Sequence, residues 1–282
     1  MNKKLLALYG LKYNPFSPEL PTEALLATAP LDDFAWRIEH AHVREGGFAL
    51  ITGEPGTGKS VALRLVAERL EHLPDLTVAA LTHPSANLAD FYRELGDLFA
   101  VDLRPHNRWM GFKALRQRWL AHLDTTRLRP VLLIDEAQEM APAVINELRL
   151  MSAARFDSKT LLSVILAGDR RLTELLRRDE LLPLGSRIRI RLTLEHASRD
   201  ELLTLLKYLT RTAGNPTLMT PGLMQTLADH AMGNYRVLTN LASEILATAA
   251  KRELTELDEK LFFETFDQQR TPPNRRAQLR SA

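Results

Sequence analysis

The octapeptide Gly53–Ser60, GEPGTGKS, satisfies the pattern G-x-x-x-x-G-K-[ST] at every fixed position. Its glycines let a backbone curl until successive N–H groups face a single anion. A helix beginning at Lys59 adds the positive end of its dipole. Gly53, Glu54, Pro55, Gly56, Thr57, Gly58, Lys59, Ser60 and Val61 are therefore the candidate polyphosphate cradle. Lys59 is placed to reach β- and γ-phosphates, and the Ser60 hydroxyl to ligate Mg²⁺. Further on, Asp135 and Glu136 end the apolar run VLLIDEAQ. At the carboxyl edge of a strand beside such a loop, Asp135 suits the Mg²⁺ shell and Glu136 a general base or water-orienting group. The competing reading makes the two carboxylates caps of the next helix. Together the motifs describe a nucleoside triphosphatase, and with no N-K-x-D for guanine the expected nucleotide is ATP.

These side chains need a scaffold that delivers them to one edge. Short apolar runs at 47–53, 76–81, 130–136, 161–168 and 187–195 read as five strands, separated by helical patterns. Continuous apolar strands alternating with helices imply a parallel sheet buried on both faces. A glutamate after the strand-ending Asp135 points to ATPases that insert a strand between the loop strand and the Asp strand. The expected order is 5-1-4-3-2, with right-handed crossovers. After Glu195 the strands stop. Ser198 with Glu201 marks a helix start, and the helical patterns that follow predict an all-helical domain. We expect an N-terminal segment over 1–45, an α/β core over 46–196, a helical lid over 197–268 and a tail over 269–282.

Composition narrows the class. The chain has 282 residues, a formal net charge of +2 and no cysteine, which excludes disulfides and Cys-based zinc sites. No apolar run has the ~18 residues of a membrane span, and the N-terminus lacks the apolar core and cleavage site of a signal peptide. We expect a cytoplasmic protein with no membrane association. The tail QRTPPNRRAQLRSA carries Arg270, Arg275, Arg276 and Arg280, and reads either as a solvated end or as an arm for nucleic acid or a partner.

GFALITGEPGTGKS and VLLIDEAQEM, with YGLKYNPFSP before them and GNYRVLTNLASEIL after, resemble the AAA+ ATPases, and within them the ExeA-like group. The resemblance covers nearly the whole chain. It implies a P-loop NTPase fold of the AAA+ (ASCE) type, α/β with a five-stranded parallel sheet and a C-terminal helical lid, using ATP and Mg²⁺. It implies that Asn14, Pro15 and Phe16 lie against the adenine base. It implies that Arg236 is the sensor II arginine reaching the γ-phosphate. A trans-acting arginine finger, which sits just before or at the start of the fifth strand, is implied at Arg187. At the sensor I position, where Asn, Thr or Ser is usual, this chain has Asp169, which reads equally as a helix N-cap.

The group has two branches, the ATPase of type II secretion assembly and short ATPases similar to the TnsC, MuB and IstB transposition regulators. Length, the absence of a membrane span and the basic tail lead us to expect the second. That implies a homo-oligomer, ring or helical filament, on double-stranded DNA without sequence preference, with a transposase as partner. An ATP-gated scaffold without turnover is a further alternative. DNA contacts are sought in VDLRPHNRWMGFKALRQRWL, where Arg104, Arg108 and Lys113 are the candidates and a solvated helix face is the bland alternative. Trp109 and Trp119 are expected in the core. Arg187, Arg189 and Arg191 alternate with apolar residues, which predicts one arginine-bearing face; Arg189 and Arg191 read as an exposed edge or subunit contact.

Overall fold

A computed structural model describes residues 2–82, 87–103, 107–155 and 158–270. The apolar runs form β1 (Gly47–Gly53), β2 (Val78–Leu81), β3 (Val131–Ile134), β4 (Ser163–Gly168) and β5 (Ile188–Leu194). All pair in parallel in the order β5-β1-β4-β3-β2, as the insertion of a strand between the loop strand and the Asp strand requires. β1 is level with β4 from Gly47↔Ser163 to Thr52↔Gly168, and β4 with β3 up to Ile134↔Leu166. The loop after β1, the carboxylates after β3 and Asp169 after β4 therefore emerge at the same sheet edge.

The strands lack polar alternation because both faces are covered. On one face Phe48, Leu50, Leu132, Ile134, Val164 and Leu166 pack against helices Leu88–Leu98, Arg108–Thr126 and Pro142–Ser152. On the other, Ala49, Ile51, Val131, Leu133, Ile165 and Ala167 pack against Ala29–Arg37 and Lys59–Glu71. Burying each of the larger side chains, Val, Leu, Ile or Phe, stabilises by about 1.5–3 kcal/mol relative to exposure.

The chain divides into two compact units. One is Ala27–Glu195, which holds the sheet; the other combines the first 26 residues with the part after Glu195. The stretch expected as one N-terminal segment is thus divided at 26/27. In the helical unit Leu5, Tyr9, Leu11, Phe16 and Leu20 share a core with Leu202, Leu206, Leu223, Leu238 and Ile245. The Tyr9 hydroxyl donates to the Leu254 carbonyl at 2.9 Å, and Asn215 Nδ2 to the Tyr9 carbonyl at 2.9 Å. Arg199–Thr212, Pro221–Ala231, Tyr235–Arg252 and Glu259–Arg270 complete it, the first opening on a capping box in which Ser198 and Glu201 satisfy each other's backbone N–H groups. Among the described residues no helix is long and apolar enough to cross a membrane.

β5 departs from simple alternation. Phe48 is level with Ile188, but Ala49 is level with Ile190, so Arg189 is an extra residue in the ladder. Ile188 packs on the face of Phe48 and Leu50, whereas Ile190 and Leu192 pack on the face of Ala49 and Ile51. The expectation that Arg187, Arg189 and Arg191 line one face is corrected accordingly: the bulge interrupts the period of two. Arg187 precedes the strand and donates to the Pro183 carbonyl at 2.8 Å. Arg189 pairs with Glu45 at 2.9 Å, and Arg191 donates to the Gly185 carbonyl at 3.2 Å. Each arginine thus has its own partner, and that of Arg189 is a carboxylate.

His42, in the π-helical turn Ile38–His42, is buried within the sheet unit. Its Nε2 lies 3.4 Å from the Val164 carbonyl oxygen. Desolvation, assisted by the charge of Arg189, lowers its pKa from 6.5 to about 4. Between those values the unfolded chain binds the proton and the folded chain does not, so stability rises with pH through that window. We expect stability constant above pH 6.5 and falling as pH drops toward 4, by up to roughly 3 kcal/mol at about 1.36 kcal/mol per pH unit. Denaturant midpoints across that range should show the decline, and His42→Gln should flatten it; an equal decline in the variant would assign it to other groups.

Candidate active site

The loop after β1 is shaped by backbone conformations that side chains resist. Gly56 has φ 86° and Gly58 φ 98°, in the left-handed region, and Gly58 is the N-cap of helix Lys59–Glu71. The Thr57 hydroxyl donates to the Glu54 carbonyl at 2.8 Å and closes the turn. Lys59 is only 6% exposed, and its ammonium donates to the carbonyls of Gly53 at 2.9 Å and Glu54 at 3.3 Å. Ser60, at the second helical position, is exposed.

Asp135 and Glu136 follow β3 directly. The Glu136 amide donates to Asp135 Oδ1 at 2.9 Å. Glu136 itself has φ 48° and ψ 41°, a left-handed conformation that strains a residue with a Cβ and is concentrated at functional sites. It starts the 3₁₀ turn Ala137–Glu139. Gln138 in that turn donates from Nε2 to Glu136 Oε2 and accepts at Oε1 from the Asp169 amide at 3.2 Å.

Asp169 does cap the next helix: its Oδ1 accepts from the Arg171 amide at 2.8 Å. The Arg171 guanidinium holds the same carboxylate and also Glu139, each at 2.8 Å. Those Arg171 contacts, with a smaller contribution from Lys59, keep the Asp169 pKa below the usual aspartate value. Its negative charge is therefore neutralised locally.

The sheet unit thus brings together the loop, Asp135, Glu136 and Asp169 at one edge. Arg187 stands at the start of β5, half-buried. Arg236 is exposed in the first turn of helix Tyr235–Arg252, in the helical unit. Asn14, Pro15 and Phe16 form a turn in which Asn14 Oδ1 accepts from the Phe16 amide at 3.0 Å; the Phe16 ring is 3% exposed, within the helical unit's core. Among the described residues no three His, Cys, Asp or Glu converge as a metal cage. An Mg²⁺ held by nucleotide phosphates, waters, a hydroxyl and one carboxylate needs none, so Ser60 and Asp135 form a donor set that fits it.

Of the candidate DNA contacts, Arg104 and the tail beyond Arg270 lie outside the described residues. Arg108 opens helix Arg108–Thr126 with its guanidinium across both carboxylate oxygens of Glu147. Glu147 is 2% exposed and also accepts from the Tyr92 hydroxyl at 2.5 Å. Burial alone would raise its pKa; the Arg108 and Tyr92 donors outweigh that and hold it below the usual value. Lys113 is exposed on the same helix. Trp119 is buried, as expected. Trp109 is not: it is 70% exposed, with its ring stacked on Phe112 at 6.1 Å between centroids and 7° between planes. The expectation of a core Trp109 is corrected. It is the second residue of the helix, where the helix begins, and lies in solvent beside Phe112.

Sequence reasoning did not single out Gln138 or Glu147. Gln138 stood inside the quoted DEAQ, but only the 3₁₀ turn reveals that its amide returns to Glu136. Glu147 looked like one more helix carboxylate; its burial depends on a distant arginine and tyrosine.

Residues 42–176 match a family model described as AAA domain. General secretion pathway protein A of Aeromonas hydrophila is 31% identical over 250 residues, 86% of this chain. The chain spans 44% of that relative's length. Among solved structures, Cdc6p from Pyrobaculum aerophilum aligns with a TM-score of 0.73 at 15% identity, over 90% of this chain and 70% of that one. The ORC2 protein of Aeropyrum pernix gives 0.71 at 17% identity, over 90% and 71%. The ORC1 protein of the same organism, in complex with DNA, gives 0.66 at 18% identity, over 90% and 68%. At such identities the structural likeness speaks for the fold alone. The fold is that of a P-loop NTPase with a five-stranded parallel sheet, and it is residues 42–176 that match the AAA domain model.

Removing Arg108 leaves a buried carboxylate without its cation. We expect Arg108→Ala to destabilise by about 2–3 kcal/mol, below the ~3–5 of a fully buried pair because Arg108 is itself largely solvated. Lys113→Ala should leave stability within about 0.5 kcal/mol, as exposed surface changes do. Chemical denaturation of both variants checks this; equal stabilities would contradict the structural role of Arg108.

Proposed function

We propose that the chain is an Mg²⁺-dependent ATPase whose nucleotide state governs its assembly with copies of itself and with a partner. One observation carries this reading: the left-handed glycine loop, the enclosed Lys59 ammonium and the Asp135–Glu136 pair share one sheet edge. The loop N–H groups and Lys59 hold the β- and γ-phosphates. Ser60 and Asp135 hold Mg²⁺, which supplies charge neutralisation at the phosphate oxygens when bound. Glu136 takes a proton from the attacking water as its oxygen bonds to the γ-phosphorus, and ADP leaves with the electron pair of the broken bond. Asp169 lies beside this group and serves as sensor I through its paired carboxylate. Arg187 of a neighbouring copy spreads charge over the γ-phosphate in a planar fork. The resemblance to AAA+ proteins assigns the base to Asn14, Pro15 and Phe16 and a γ-phosphate contact to Arg236.

Two partners have support. A DNA-bound ring or filament that recruits a transposase is supported by the exposed Trp109 and Lys113, by the resemblance to short transposition ATPases, and by a solved neighbour described in complex with DNA. A secretion-associated ATPase is favoured by the 31% identity to General secretion pathway protein A. Either works in the cytoplasm, where ATP is supplied. A scaffold without turnover is the weaker reading, since Glu136 is intact.

Lys59→Ala should weaken ATP binding by at least about a hundredfold, and unchanged affinity by calorimetry would remove the phosphate-loop assignment. Glu136→Gln should bind ATP normally but turn over about 10²–10⁴-fold more slowly, the usual contribution of a positioned base. For the partner, an ATP-dependent duplex shift that weakens with salt, and a salt slope about one unit smaller in Lys113→Ala, supports DNA. No shift at low salt favours the secretion reading.

A further inference from the structure

Gln138 is held at both ends, and its orientation follows from its partners. The Asp169 backbone N–H can only donate, so the Gln138 atom facing it at 3.2 Å is the carbonyl oxygen Oε1. The NH₂ group then faces the other way, where it donates to Glu136 Oε2. A single planar amide therefore spans the gap from the end of β4 to the carboxylate after β3. Space for it is provided by Gly168: a Cβ there would sit 2.5 Å from Gln138 Oε1, closer than real Cβ contacts come. That Cβ would also meet Leu172 Cδ2 at 2.7 Å and Cβ at 2.9 Å, so the strand-end glycine answers to close packing by both side chains and not to an unusual φ. The far end is anchored as well, because Arg171 ties Asp169 to Glu139 in the same 3₁₀ turn. Glu136, for its part, sits in a strained left-handed conformation, and among the described residues its carboxylate makes no hydrogen bond other than that to Gln138. Something must hold its carboxylate in one direction, and the Gln138 amide is what touches it.

We propose that Gln138 is a positioning residue that aims Glu136 at the attacking water and transmits to it any displacement of the Asp169 segment. This rests on the ATPase reading. A carboxylate that accepts one fixed N–H keeps its second oxygen in a defined direction; freed of that donor it samples several rotamers, and catalysis that depends on geometry suffers while binding does not.

The test uses the full chain with ATP and Mg²⁺. Gln138→Met keeps the volume and removes both amide functions. We expect kcat to fall about ten- to a hundredfold, with KM, ATP affinity and melting temperature nearly unchanged. The deciding comparison is the pair with Glu136→Gln: if Gln138 acts through Glu136, the double variant is no slower than Glu136→Gln alone. Losses that multiply, or a Gln138→Met enzyme with full kcat, overturn the proposal. A wild-type chain with no turnover would instead sink the ATPase reading, and is distinguishable because no variant enters that measurement.

Discussion

The arrangement depends on an ammonium group enclosed at the end of a buried sheet. Lys59 is 6% exposed, and a cation so placed must be surrounded by oxygen. Two loop carbonyls, of Gly53 and Glu54, meet it, and the negative Asp169 lies within electrostatic reach. Carbonyls turned toward Lys59 fix the start of the loop, and the Thr57 amide and hydroxyl both donate to the Glu54 carbonyl and close it. Such a loop requires Gly56 and Gly58 in conformations that other residues resist. It also requires a support that does not yield, which β1 provides between β4 and β5.

The same logic accounts for the acidic side of the edge. β3 is apolar at every residue because both its faces are covered, so its first charged residues appear only where the strand ends. The chain then turns sharply through Glu136 into a 3₁₀ turn, which brings Gln138 back over the carboxylate and Ala137 into the core. Local strain at Glu136 is thus balanced by burial of its neighbour and by the hydrogen bonds around Asp169. Polar groups at this edge are linked to one another from Glu136 to Arg171, so a change at any of them is felt by the others.

Much of this was legible in the chain. GEPGTGKS and DEAQ carry their chemistry in residue types and spacing. Apolar runs located all five strands to within two residues, and their order followed from the inserted strand. What escaped was non-local. The first 26 residues pack with the helices after Glu195 because Leu5, Tyr9 and Leu11 find their partners about two hundred residues away, which no window of sequence shows. The alternation RIRIR suggested one face until the bulge at Arg189 moved Ile190 across the sheet. Trp109 was assigned to the core by residue type, yet its place at the start of a helix leaves it in solvent beside Phe112. Arg108 read as free charge because nothing nearby in sequence revealed the buried Glu147.

The central claim is that this sheet edge binds and hydrolyses ATP with Mg²⁺. Its most direct measurement is steady-state phosphate release by the wild-type chain across a range of ATP, with Mg²⁺ and with the metal chelated. The account predicts saturable multiple turnover that needs Mg²⁺. Release that does not saturate, or that is the same without the metal, would contradict it.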